Sequence, residues 1–209
     1  MPRVDFPLYF VTDRHQTGGR PLIPLIGQAV TGGVRAVQVR ERDLATRDLL
    51  ALSQELCVSV RTRGVRVMIN DRLDLVLALG ADGVHLRADS LPVAAARRLL
   101  GADRLIGVSA HSADDVARAE SDGADFAVLG PVYETPSKRE YGPPIGLRAL
   151  EEAGRRCQIP VFAIGGMTVA RVEDVRKAGA YGVAVVSAML SAESVESAAR
   201  QFLDALARA

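Results

Sequence analysis

Three histidines, a pair of adjacent glycines and a polar run of Thr, Ser, Lys and Arg are the residues best suited by type and setting to chemistry. His111 follows the apolar run ending Gly107-Val108-Ser109-Ala110 and stands just before a helix start, a setting for an imidazole that takes a proton and returns it. His85, in Gly83-Val84-His85-Leu86, reads as a hydrogen-bonded interior residue, and His15 as an exposed loop residue. Gly165-Gly166-Met167-Thr168 and Val186-Ser187-Ala188 each join an apolar run to a helix start. Side-chain-free glycine lets backbone N–H groups and a helix N-terminus approach an anion, so these two turns point to a phosphate. Thr135-Pro136-Ser137-Lys138-Arg139 adds two hydroxyls and two cations in the longest loop. Other apolar runs are followed by Gln38, Arg40, Glu41 and Arg42, by Asn70 and Asp71, and by Asp89 and Ser90. The order of these residues makes no Ser–His–Asp or Cys–His arrangement and no metal triad.

The elements that must carry them alternate. Short β-branched runs occur at 8–12, 34–39, 65–69, 83–86, 105–108, 126–129, 160–164 and 182–186. They are apolar on both faces, as parallel strands covered by helices are. Helical periodicity lies between them, at 46–63, 93–100, 114–120, 172–178 and 194–207. Ser112 and Thr168 stand where helix caps belong. Gly32-Gly33, Gly80, Gly123 and Gly179 end helices, the first glycine of each group taking the left-handed conformation. Eight units in 209 residues is about 26 residues each, which one strand, one helix and two loops fill. The expectation is an α/β fold, a single (β/α)8 TIM barrel over 1–209. A doubly wound sheet is the rival, but Thr12-Asp13-Arg14-His15-Gln16 is not its glycine-rich loop. In such a barrel the site lies at the C-terminal ends of the strands, where all the polar residues named above fall.

Composition narrows the classes. The chain carries 26 basic and 25 acidic residues, a net charge of +1, without the basic excess of a nucleic-acid binder. No apolar stretch is long enough to span a membrane, and the N-terminus lacks a secretory pattern. Cys57 and Cys157 give neither a disulfide framework nor a metal spacing, so reduced core thiols in a cytoplasmic protein are expected. With no Trp, four Tyr and five Phe, the core is expected to be built from Val, Leu, Ile and Ala. The partner is a small phosphorylated molecule; a homo-oligomer is left open.

Nearly the whole chain resembles the thiamine-phosphate synthase and thiazole tautomerase superfamily. The resemblance is carried by Val37-Gln38-Val39-Arg40-Glu41-Arg42, Asn70-Asp71-Arg72, Ala81-Asp82-Gly83-Val84-His85-Leu86, Gly107-Val108-Ser109-Ala110-His111, Gly130-Pro131-Val132-Tyr133, Ala163-Ile164-Gly165-Gly166-Met167 and Val185-Val186-Ser187. It implies a barrel acting on a thiazole phosphate in vitamin B1 synthesis. The synthase branch joins a pyrimidine diphosphate to that phosphate, with Mg2+ on two aspartates. Asp71 matches the first. The second falls on Ser90, with Asp89 beside it, in Arg87-Ala88-Asp89-Ser90-Leu91-Pro92 where Gly-Gln-x-Asp-Leu-Pro is usual. Arg42 stands for a lysine, and Glu134-Thr135-Pro136-Ser137-Lys138 for Pro-Thr-x-Thr-Lys. These three departures resemble the tautomerase branch, an isomerase that needs no cofactor. That reading makes His111 the catalytic proton shuttle and seats the thiazole phosphate on Gly165, Gly166, Val186 and Ser187. Thr135, Ser137 and Lys138 close from above, Arg40 takes the carboxylate, and Gln38, Arg42, Asn70 and Ser109 complete the binding set. Two alternatives stand beside it: a thiamine-phosphate synthase using Mg2+ at Asp71 and Asp89, and a non-catalytic regulator binding thiazole or thiamine phosphates.

Overall fold

Eight short, β-branched runs cover themselves on both sides by closing on one another and wrapping helices outside. The computed structural model describes residues 4–135 and 143–209. Strands β1 (Leu8–Val11), β2 (Ala36–Val39), β3 (Arg66–Asn70), β4 (Gly83–Leu86), β5 (Leu105–Ala110), β6 (Phe126–Leu129), β7 (Val161–Ala163) and β8 (Gly182–Val185) form a closed parallel barrel in sequence order. Pairing of β1 with β8, Leu8 opposite Val183, completes the ring. The (β/α)8 barrel is thus observed. Four of its strands, β1, β2, β7 and β8, are a residue or two shorter than their apolar runs, because the flanking residues turn out of register as the chain leaves the sheet.

The covering helices are α1 (Leu22–Thr31), α2 (Thr46–Val60), α3 (Leu73–Leu79), α4 (Val93–Leu100), α5 (Ala113–Ser121), α6 (Gly146–Arg156), α7 (Val172–Lys177), α8 (Ser187–Leu190) and α9 (Val195–Arg208). Four of them, α1, α3, α6 and α8, lie outside the stretches picked out by periodicity. Pro24 and Gly27 interrupt α1, although proline is tolerated in a first turn whose N–H groups have no helical acceptor. In α3 nearly every residue is apolar, so no stripe stands out.

Punctuation divides similarly. Ser112 caps α5, its side chain accepting from the Asp115 N–H at 3.1 Å. Replacing Ser112 by Ala should cost about 1 kcal/mol of stability in urea unfolding. Thr168 makes no cap bond and precedes a 3-10 turn, Val169–Arg171. Gly32 has φ −71°, and it is Gly33, at φ 108°, that turns left-handed. The Arg97 side chain donates to the Arg104 carbonyl at 2.7 Å and to Asp125 at 2.6 Å, tying the end of α4 to the turns that precede β5 and β6.

The core has two layers. Between sheet and helices lie the expected Val, Leu, Ile and Ala. The barrel interior differs from expectation: Phe6, Tyr9, Phe126 and Phe162 fill it, with ring centroids 5.4–6.0 Å apart. A few large rings fill a narrow cylinder more completely than many branched side chains, so the scarce aromatics collect there. Among the described residues no helix is long and apolar enough to cross a membrane. Cys157 is buried, Cys57 half-buried, and both are free.

Candidate active site

Side chains alternate along a strand, so the positions that follow the aromatic plug toward the C-terminal rim also point inward. On β2 to β5 these are Gln38, Asn70, His85 and Ser109, and with Arg40 and His111 they line a cavity of about 250 Å³. Below it the barrel is apolar, so the floor of the cavity is where the interior changes from aromatic to polar.

One side of the mouth is cationic. Burial first, then the neighbouring Arg42, pull the Arg40 guanidinium below its usual value, a crowding that an anion would relieve. The Arg40 N–H donates to Thr12 Oγ1 at 2.9 Å. Glu41 is buried and points away, accepting from the Arg14 N–H at 3.0 Å and from its guanidinium at 3.3 Å, which ties the first two loops together. Gln38 Nε2 donates to Asn70 Oδ1 at 3.2 Å.

Next to this cluster stands Asp71, at φ 60°. Aspartate enters this left-handed region more readily than most side chains. The Ser90 hydroxyl hydrogen-bonds Asp71 Oδ1 and accepts from the Arg87 N–H at 3.0 Å. Asp89 turns away from Asp71 and pairs with the Arg87 guanidinium, at 2.9 Å from Nε. Arg87 Nη1 also lies 3.8 Å from Asp71. Asp71 and Asp89 are therefore not a pair of carboxylates around one point. Among the described residues no three of His, Cys, Asp and Glu gather as a metal cluster.

The opposite side offers backbone. Gly165 and Gly166 follow β7 at φ 96° and 62°. A Cβ on Gly166 would lie 2.7 Å from the Glu134 carbonyl oxygen and 2.9 Å from Tyr133 Cβ. Arg171 locks this turn, donating to the Gly166 carbonyl and stacking 4.3 Å over the Tyr133 ring. Val186 and Ser187 open α8, whose first N–H groups have no helical acceptor. Gly165, Gly166, Val186, Ser187 and Thr135 all border the same cavity. Ser137, Lys138 and Arg139 lie outside the described residues.

His111 borders the cavity as well, with Nδ1 2.7 Å from the Gly130 carbonyl oxygen. A carbonyl oxygen only accepts, so Nδ1 is the donor in that contact. Asp13 and Gln16, joined at 2.6 Å, also reach the cavity. They were missed although the rule that picked the other residues, position after a strand end, applies equally to β1. Tyr9 and Arg171 carried no local signal, because each acts on a residue distant in sequence.

Fold and site together define a (β/α)8 barrel whose mouth has a cationic side and a backbone N–H side, a class suited to anionic small molecules. Residues 8–189 match the family model described as "Thiamine monophosphate synthase". The chain is 48% identical over 203 residues to a Geobacter sulfurreducens protein described as "Putative thiamine-phosphate synthase", covering 97% of this chain and 95% of that one. It is 42% identical over 201 residues to "Thiamine-phosphate synthase" of Roseiflexus castenholzii, covering 96% and 88%. Among solved structures, "Thiamine phosphate pyrophosphorylase" from Pyrococcus furiosus superposes with a TM-score of 0.88 at 31% identity, over 97% of this chain and 96% of that chain. The chain belongs to the thiamine monophosphate synthase family.

This corrects the tautomerase reading. Relatives 40–48% identical carry the synthase name, and the isomerase assignment falls with its proton shuttle at His111. The physical reason is that each of the three departures keeps part of the chemistry of the residue type it replaces. Arg42 keeps a cation, Ser90 keeps a hard oxygen, and Ser137 keeps a hydroxyl.

Proposed function

We propose that the protein is a thiamine-phosphate synthase. The methylene C–O bond of an aminopyrimidine diphosphate breaks, pyrophosphate leaves with the bonding pair, and the thiazole nitrogen of a thiazole phosphate takes the vacated carbon. One observation carries this reading: a single cavity has two anion-binding sides. Arg40 and Arg42, after β2, line one part of it, and Gly166 and Ser187, after β7 and β8, line another. A reaction on one phosphate needs one such side; joining a diphosphate to a phosphate needs both.

Roles follow from position. Arg40 and Arg42 receive the diphosphate, whose charge grows as it leaves. Gln38, Asn70 and Ser109 hold the pyrimidine over the aromatic floor. The N–H groups at Gly166, Val186 and Ser187 hold the thiazole phosphate, with Thr135 beside it. Holding both reactants in line converts a bimolecular step into an effectively unimolecular one. His111, no longer a base, borders the gap between the two subsites.

The residues fit Mg2+. It prefers oxygen donors, uses one or two carboxylates, and completes its shell with phosphate oxygens and water. Asp71 supplies the carboxylate and Ser90 a hydroxyl already against it. When bound, the cation neutralises charge on the departing diphosphate. The metal-free expectation belonged to the tautomerase reading; Asp89, claimed by Arg87, is not needed here. Ser90→Asp restores a second carboxylate, and its apparent Mg2+ affinity should rise about tenfold or more, read from Mg2+ titrations of turnover and from direct calorimetry.

The test of the function is incubation with both substrates and Mg2+. Thiamine phosphate and pyrophosphate should appear in equal amounts. Absence of pyrophosphate release under conditions where both substrates bind would reject the synthase reading.

A further inference from the structure

His85 is the buried titratable residue of the site that the reaction above does not use. It lies on β4 between the Tyr9 and Phe126 rings, with centroids at 5.8 and 5.9 Å, and is 2% exposed. Glycine at 107 makes room for it, since a Cβ there would lie 2.8 Å from His85 Nδ1 and 2.3 Å from Phe126 Cζ. His85 Nε2 is 3.0 Å from Ser109 Oγ, and Nδ1 is 3.5 Å from the Tyr9 hydroxyl. The first contact joins the paired strands β4 and β5, and the second joins β4 to β1 across the barrel interior.

The ring is buried among aromatic side chains, a setting that disfavours an imidazolium, and its two nitrogens face the Tyr9 and Ser109 hydroxyls, so it is held neutral. A neutral imidazole has one N–H and one lone pair. Suppose Nδ1 carried the proton. It would donate to the Tyr9 oxygen, and the Tyr9 O–H, fully buried and with no other described partner, would be stranded. Ser109 would then have to donate to Nε2 and would show the cavity only lone pairs. In the other tautomer Tyr9 donates to Nδ1, Nε2–H donates to Ser109, and no polar hydrogen is stranded. An orphaned buried donor is the costlier state, so the second arrangement is selected.

We infer that Tyr9 and His85 are positioning residues that fix the Ser109 hydroxyl as a hydrogen-bond donor toward the cavity. The ligand atom facing Ser109 must then be an acceptor. Resting on the synthase reading, that atom is a ring nitrogen of the aminopyrimidine and not its exocyclic amino group. Pyrimidines that present a C–H or N–H there are discriminated against.

Two measurements test this. Long-range nitrogen–proton spectra of the 15N-labelled wild-type protein should show His85 as the Nε2–H tautomer without any substrate. Kinetically, His85→Phe, which removes the donor to Ser109, should raise KM for the pyrimidine diphosphate about tenfold, with little change in KM for the thiazole phosphate. In the Ser109→Ala background the same change should add nothing. A merely structural His85 would affect both substrates and both backgrounds alike. A proton on His85 Nδ1, an unchanged KM in His85→Phe, or an equal effect in the Ser109→Ala background would each overturn the inference. The tautomer is read without turnover. If Nε2–H is found in a protein that does not join the two substrates, the donor role of Ser109 stands and the synthase reading alone falls.

Discussion

Asp71→Asn should abolish most synthase turnover, lowering kcat/KM by roughly 10²–10³-fold, the size of effect seen when one preorganised charge contact to a developing anion is removed. Asparagine is the informative replacement. Asp71 sits at φ 60°, where Asn is tolerated and Ala is strained, so the variant keeps the backbone and loses only the charge. The Ser90 hydroxyl retains an oxygen to donate to. Mg2+ dependence should weaken in parallel, and thiazole phosphate binding, across the barrel, should be unchanged. Steady-state kinetics at several Mg2+ concentrations check the first point, and calorimetry with thiazole phosphate the second. A variant with wild-type kcat/KM at low Mg2+ would remove Asp71 from the diphosphate subsite.

Gly166→Ala should produce the other large loss, on the opposite subsite. Its φ of 62° costs an L-residue roughly 1–2 kcal/mol wherever it occurs. Gly64 has nearly the same φ, 64°, and a Cβ there would meet nothing within 4 Å. At Gly166 the Cβ meets the Glu134 carbonyl oxygen at 2.7 Å, and that backbone is also pinned by the Tyr133 N–H donating to Gly165 O at 3.2 Å. Both variants should therefore lose similar stability from strain, while only Gly166→Ala displaces the turn. KM for the thiazole phosphate should rise at least about tenfold in Gly166→Ala and stay near wild type in Gly64→Ala, because misplacing a positioning contact by an ångström carries penalties of that order or larger. Thermal or urea unfolding of the pair measures the shared strain, and kinetics separate the loss that belongs to the site. Equal kinetic losses would show that Gly166 matters only for folding.

Much of the site was legible because a parallel barrel converts position in sequence into position in space. Residues after strand ends must lie at one mouth, so Gln38, Arg40, Asn70, Ser109, His111, Gly166 and Ser187 could be named together, and they line one cavity. The function within the family was misread. Ser at 90 and Arg at 42 were treated as losses, whereas the geometry shows a hydroxyl against Asp71 and a cation beside Arg40. Residue type at one position does not reveal whether a neighbour supplies the missing donor.

Periodicity, capping residues and helix-ending glycines are local, since they act through backbone sterics and contacts within a few residues. They determined the eight strands, most of the helices and the face on which chemistry sits. Closure of the barrel decided the rest. It sets Tyr9 beside His85, 76 residues away, turns Arg87 between Asp71 and Asp89, and stacks Arg171 on Tyr133 under Gly166. It also gathers three of the five phenylalanines into one cylinder. These contacts depend on register between strands paired around a ring, and register is settled by the packing of the whole interior rather than by any one segment.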